Sequence, residues 1–226
     1  MKPLVCQSCG SNEFVEENDF YKCRYCNTKY PVEKAGIITE SDKLSNLYVL
    51  ARSAAEDEND DEAYQYYKEI LLIEPNDWEA VFYSAYCGLR TRKIVDFYAY
   101  VDSFIASVRR ACRLIHALSS RKKERAVSLV FTLTVRLFFT VNASIVSLQP
   151  AHGLWRNNNY SVERNKRSAV LMMINLGDIF MEELGDRDRA VYYYELIYPN
   201  SVLADYENAV LLNKITAIKP DYKPKK

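Results

Sequence analysis

Six cysteines and two histidines carry most of the reactive chemistry this chain can offer, and four of the cysteines fall into a repeated pattern. Cys6 and Cys9 form C-x-x-C followed by Gly10, and Cys23 and Cys26 form a second C-x-x-C followed by Asn27. Each pair places two thiolates on one tight turn, and the residue after the second cysteine needs a positive φ that Gly or Asn tolerates. Two such turns brought together offer four sulfurs in tetrahedral arrangement, the donor set preferred by Zn²⁺. Disulfides are disfavoured in a reducing cytosol, and a redox C-x-x-C belongs in a larger α/β context that this sequence lacks. A catalytic zinc keeps a coordination position open, whereas four cysteines fill all of them, so the expectation is one structural Zn²⁺. Cys87 and Cys112 lie in apolar runs, where a thiol behaves as a small hydrophobe. His116 and His152 have no local partners for acid–base work. With neither a Gly-rich phosphate loop nor H-E-x-x-H, the sequence predicts a protein that is not an enzyme.

The elements that would carry the cysteines are short. EFVEENDFYKC alternates about an Asn-Asp turn as a β-hairpin does, and TKYPV supplies a third strand. So small a unit cannot bury enough apolar surface without a metal. Residues 1–34, with all four ligand positions, resemble the four-cysteine zinc ribbons of transcription factors, RNA polymerase subunits and bacterial accessory proteins. Five basic and five acidic side chains balance there, so the phosphate-binding footprint is missing. Phe14, Phe20, Tyr21, Tyr25 and Tyr30 serve either as a miniature core or as stacking faces.

Residues 35–42 read as a connector whose Ile37 and Ile38 can dock, with Ser41 and Asp42 as N-cap candidates. Helices then follow. Leu44, Leu47, Leu50, Ala51 and Ala54 recur at helical spacing, as do Ala63, Tyr66, Tyr67, Ile70 and Ile73, with an acidic turn between in which Asn59 and Asp60 can cap. Pro75 closes the second helix, within a 34-residue stretch from Leu44 to Asp77. The spacing resembles the tetratricopeptide repeat, which implies stacked helix pairs and a binding surface for a peptide or protein segment. Trp78, Val81, Phe82, Ala85 and Leu89 mark a further helix capped by Asn76 or Asp77. Two long helical runs, 94–118 and 122–148, interrupt the schedule, favouring an inserted bundle over a uniform superhelix. The theme returns at Leu176 and Gly177, the Gly185-Asp186 turn, Ala190, Tyr194 and Ile197, with a turn one residue longer than usual.

The fold class is therefore mainly α: a tetratricopeptide-like array or bundle over residues 43–218 behind a small β zinc ribbon, with 219–226 as a flexible tail. The run from Ala126 to Leu148 is long enough to span a bilayer, but Arg136 at its centre would cost ~2.5 to 3.5 kcal/mol there. It reads instead as a buried central helix whose Arg136 needs an acidic partner. Residues 149–160 read as a loop containing His152 and Trp155, and 200–218 as a capping helix. The N-terminus lacks a basic flank and apolar run, so a cytoplasmic protein is expected.

The formal net charge is zero, but residues 40–80 hold three basic and twelve acidic side chains, and residues 81–125 hold ten basic and three acidic. Neighbouring helices can match these charges internally or present them to a partner. Two functions follow as expectations. The first is a non-catalytic adaptor for a protein or peptide segment, with Tyr64, Trp155 and Tyr192 as contact candidates; zinc-ribbon and repeat proteins of bacteria and phages carry this resemblance. The second is a nucleic-acid-binding regulator using the ribbon and the basic cluster of Arg109, Arg110, Arg113, Arg121, Lys122, Lys123 and Arg125, seconded by Arg156, Arg164, Lys166 and Arg167.

Overall fold

The computed structural model describes residues 6, 8–17, 20–31, 40–147 and 158–223. The chain divides into two compact units, residues 1–46 and residues 47–226. In the first, β1 (Phe14–Glu17), β2 (Phe20–Cys23) and β3 (Lys29–Pro31) make an antiparallel sheet in sequence order. Phe14 faces Cys23 and Glu17 faces Phe20 across the first pair, while Tyr21 faces Tyr30 across the second. The expected Asn18-Asp19 turn lies outside the described residues. Phe14 and Tyr30 meet edge-on at 5.9 Å. Tyr25, by contrast, is 84% exposed.

Eight helices follow among the described residues: α1 (Glu40–Glu56), α2 (Asp60–Ile73), α3 (Trp78–Arg90), α4 (Phe97–His116), α5 (Ser120–Ser147), α6 (Asn158–Ile179), α7 (Arg187–Ile197) and α8 (Asp205–Ile218). Local chemistry sets several boundaries. Asn59, Asp77 and Asp186 each accept a backbone N–H of the following helix, from Glu62, Ala80 and Arg189. Ser41 and Asp42, expected to precede the first helix, lie inside α1, which begins one residue earlier at Glu40. Likewise Asn158 to Tyr160, expected in a loop, are the first turn of α6. The remainder of that loop, including His152, Trp155 and Arg156, falls outside the described residues.

In the second unit α2, α3, α4, α6, α7 and α8 each pack against the next, and α5 lies beside α4 and α6. The line of packed helices thus runs from α2 through α4 directly to α6, α7 and α8, with α5 to one side. Tyr67, Ile70, Phe82, Ile115, Met172, Met173, Leu176, Phe180 and Tyr193 are among its fully buried side chains. The extra residue expected in the α6–α7 turn is taken up inside the helix, where Phe180–Leu184 forms a π turn ending at Gly185 (φ 68°).

By length and composition α5 could cross a membrane, the one such helix among the described residues. The expectation that it is central and surrounded is not met. One stripe is buried, including Val130, Leu137 and Ile145, while Phe139 (53%) and Val146 (59%) are exposed. Arg136 points away from the core and pairs with Glu58 in the α1–α2 turn. A helix of high hydropathy on most faces does not reveal which stripe its neighbours cover.

Two close approaches hold the helix pairs. Gly88 of α3 lies under the ring of Tyr64, where a Cβ would meet Cε2 at 2.9 Å, and Gly177 of α6 lies under Tyr194, where a Cβ would meet Cε1 at 2.3 Å. Tyr194 cannot retreat easily, since its hydroxyl donates to Asp178 at 2.6 Å and Lys214 of α8 also donates to that carboxylate at 2.5 Å. Gly177→Ala is therefore expected to cost about 1 to 3 kcal/mol in urea unfolding. Gly88→Ala, against the free edge of a half-exposed ring, should cost less than half as much.

Candidate metal centre and binding cleft

The two C-x-x-C segments adopt the same turn. Gly10 (φ 76°) donates to Cys6 O at 2.7 Å and Asn27 (φ 58°) donates to Cys23 O at 3.0 Å. Cys6 N–H donates to Ser11 O and Cys23 N–H to Thr28 O, at 2.8 and 2.9 Å, closing both loops alike. Each turn aims its two thiols at the other pair. Cys6 Sγ lies 3.4 Å from Cys26 Sγ, Cys9 Sγ lies 3.6 Å from Cys23 Sγ, and all four sulfurs fall within 4.8 Å of one another. These separations exceed the ~2.0 Å of a disulfide. They bracket the ~3.8 Å edge of a tetrahedron built on ~2.3 Å metal–sulfur bonds. The four cysteines can hold a metal ion. The Tyr30 hydroxyl at 3.2 Å from Cys6 Sγ and the Thr28 hydroxyl at 3.0 Å from Cys26 Sγ are placed to donate to thiolates. Tyr30 pulls the Cys6 thiol down to about 6, against the effect of burial. Although the Ser11 amide favours its thiolate, Cys9 is pushed up to about 12 by desolvation and the neighbouring thiols. Four thiolates crowded together cannot all ionise unless a cation neutralises them.

A cleft of about 750 Å³ lies within the helical unit between α1–α3 and α5. Trp78, Tyr83 and Tyr86 line one side, and Leu129 and Leu133 the other. Charges ring it. Arg52 grips Glu79 with two bonds of 2.7 Å, Arg90 pairs with Asp60 at 2.9 Å, and Glu58 reaches Arg90 and Arg136. Asp77 caps α3. Once these partners are matched, Glu56 on α1 and Lys122 and Arg125 on α5 remain at the cleft without an ion pair among the described residues. The acidic segment and the basic segment of the sequence thus face one another across the opening. Cys87, also at the cleft, is buried, and burial beside Asp60 pushes its thiol up to about 12. Burial does the same to Cys112. Neither thiol is poised as a nucleophile.

No protein-family model, curated protein or solved structure matches this chain.

The basic cluster does not converge. Arg109 contacts Glu182 and Glu183 at 2.6 and 3.0 Å, Arg113 contacts Glu183 at 3.0 Å, and Arg110 donates to Pro75 O and Asn76 Oδ1. Arg164 stacks on Tyr98 at 3.9 Å, Lys166 pairs with Glu163 and Arg167 pairs with Glu207. Lys123 lies 3.3 Å from the exposed His116, and Arg121 is exposed. Tyr64 is half-buried against α3, and Tyr192 is 43% exposed with its ring edge-on to Phe131 at 5.3 Å. The cleft residues Trp78, Leu129 and Leu133 were readable in the sequence only as core positions, because their helical spacing is the same in either role.

Proposed function

We propose that the protein is a non-catalytic adaptor that grips a peptide segment of a partner protein in the cleft between α1–α3 and α5. In this reading the N-terminal unit is a zinc ribbon, folded around one Zn²⁺ on Cys6, Cys9, Cys23 and Cys26, and the second unit is tetratricopeptide-like. The single observation that carries the adaptor reading is the cleft itself. It is large enough for several side chains, combines apolar and aromatic walls, and has uncommitted charges of both signs at its margin. A segment with apolar side chains for Trp78, Leu129 and Leu133 and a carboxylate for Lys122 and Arg125 fits that chemistry.

Peptides selected on the intact chain test this. Binding should perturb Trp78 fluorescence, and the exposed double substitution Lys122→Glu/Arg125→Glu should weaken it at least tenfold without altering the unfolding curve. Selected peptides that bind both forms equally would place the binding surface elsewhere. For nucleic acid, Arg121, Lys122, Lys123 and Arg125 near the start of α5 form a run of cations with no carboxylate partner among the described residues. A complex through them would weaken steeply with salt, whereas peptide binding with an apolar centre would change little.

A further inference from the structure

A second recess, of about 250 Å³, lies among α2, α3 and α4 and shares no lining residue with the cleft. Its composition is unusual for this protein. Lys68 and Arg92 line it, and no carboxylate does. Several arginines elsewhere are neutralised: Arg52, Arg90, Arg109, Arg113, Arg167 and Arg189 each pair with an acidic side chain. Lys68 and Arg92 have no such partner among the described residues, yet each is held in place by an aromatic ring. Lys68 Nζ lies 5.3 Å above Tyr64 and the Arg92 guanidinium 4.8 Å above Tyr100. A ring orients a cation without cancelling its charge.

Tyr64 is positioned in turn by Gly88, whose missing Cβ leaves the space its ring edge occupies. Ser103, together with the phenol hydroxyls of Tyr64 and Tyr100, adds donors at the rim. Beneath them Leu71, Leu89 and Phe104 give an apolar floor. The volume falls below the ~300 Å³ at which pockets accept drug-sized ligands.

We propose that this recess binds a phosphoryl group carried on a small apolar stem. The two fixed cations neutralise the dianion, the hydroxyls satisfy its oxygens, and the stem lies on the floor. The site is independent of the peptide reading of the cleft.

The test uses the full-length protein at constant ionic strength, following backbone amide shifts and calorimetry during titration with phenyl phosphate, inorganic phosphate and sulfate. Phenyl phosphate should shift the Gly88 and Ser103 amides saturably, inorganic phosphate should do so more weakly, and sulfate least. Phosphate binding as tightly as the ester would show a free-anion site and remove the stem from the proposal. Lys68→Gln and Arg92→Gln, both at exposed positions, should each reduce affinity for phenyl phosphate at least tenfold while leaving the rest of the spectrum in place. No saturable shift, equal affinity in the variants, or shifts confined to residues 121–125 would overturn the site.

Discussion

Replacing Cys6 and Cys23 together with Ser should abolish metal binding and unfold the N-terminal sheet, while leaving the helical unit's thermal transition in place. The sheet has three strands of three or four residues, and Phe20 at 43% exposure and Tyr25 at 84% show how little of its aromatic surface is buried. Its stability must come from elsewhere. Structural zinc supplies about 10 to 16 kcal/mol of apparent binding free energy at neutral pH, far more than such a core provides. Measured zinc content should fall from one equivalent to none, and the amide resonances of residues 14–31 should collapse to unfolded positions. Chelation of the wild-type protein should do the same reversibly. Because the metal displaces thiol protons, its affinity should fall as pH is lowered. A Cys-to-Ser protein with an intact sheet would show that the cysteines are not its staple.

The second large effect concerns Asn165, a fully buried polar side chain on α6. Its Oδ1 accepts the Tyr98 N–H at 3.0 Å, and its Nδ2 donates to Ile94 O at 2.8 Å and Val95 O at 3.2 Å. The start of α4 has no cap from its own Asp96, so α6 supplies one across the interface. Asn165→Leu leaves the Tyr98 N–H in the first turn of α4 without its cap and removes the amide's two contacts to Ile94 O and Val95 O, and should cost about 1 to 3 kcal/mol. Asn165→Asp keeps the acceptor for Tyr98 but turns a carboxylate toward two carbonyls, and should be comparably destabilising at neutral pH. Urea unfolding of both variants measures this. A loss under ~1 kcal/mol in each would mean that water replaces the amide.

Asn165 also shows where sequence reading ends. It sits in the polar run ERNKRS, and nothing local distinguishes it from its exposed neighbours. What was legible was local chemistry. Gly10 and Asn27 take the positive φ that their place after each C-x-x-C requires, and Asn59 and Asp77 cap the helices they precede. What was not legible depends on which faces meet. Arg109 and Arg113, four residues apart, share one side of α4 and reach Glu183, while Arg110 turns toward α3, so a dense sequence cluster is dispersed in space. Arg136 looks buried in an apolar run and is instead an exposed partner of Glu58. The charge asymmetry between residues 40–80 and 81–125 was visible, but its placement across a cleft required α5 to leave the line of packed helices.

The most direct measurement is capture of the tagged protein from its native host after nuclease treatment, comparing wild type with Lys122→Glu/Arg125→Glu. The account predicts a discrete protein partner that survives nuclease and moderate salt with the wild type and is lost with the variant. Nucleic acid alone, or the same partner held equally by both forms, would contradict the cleft as the binding site.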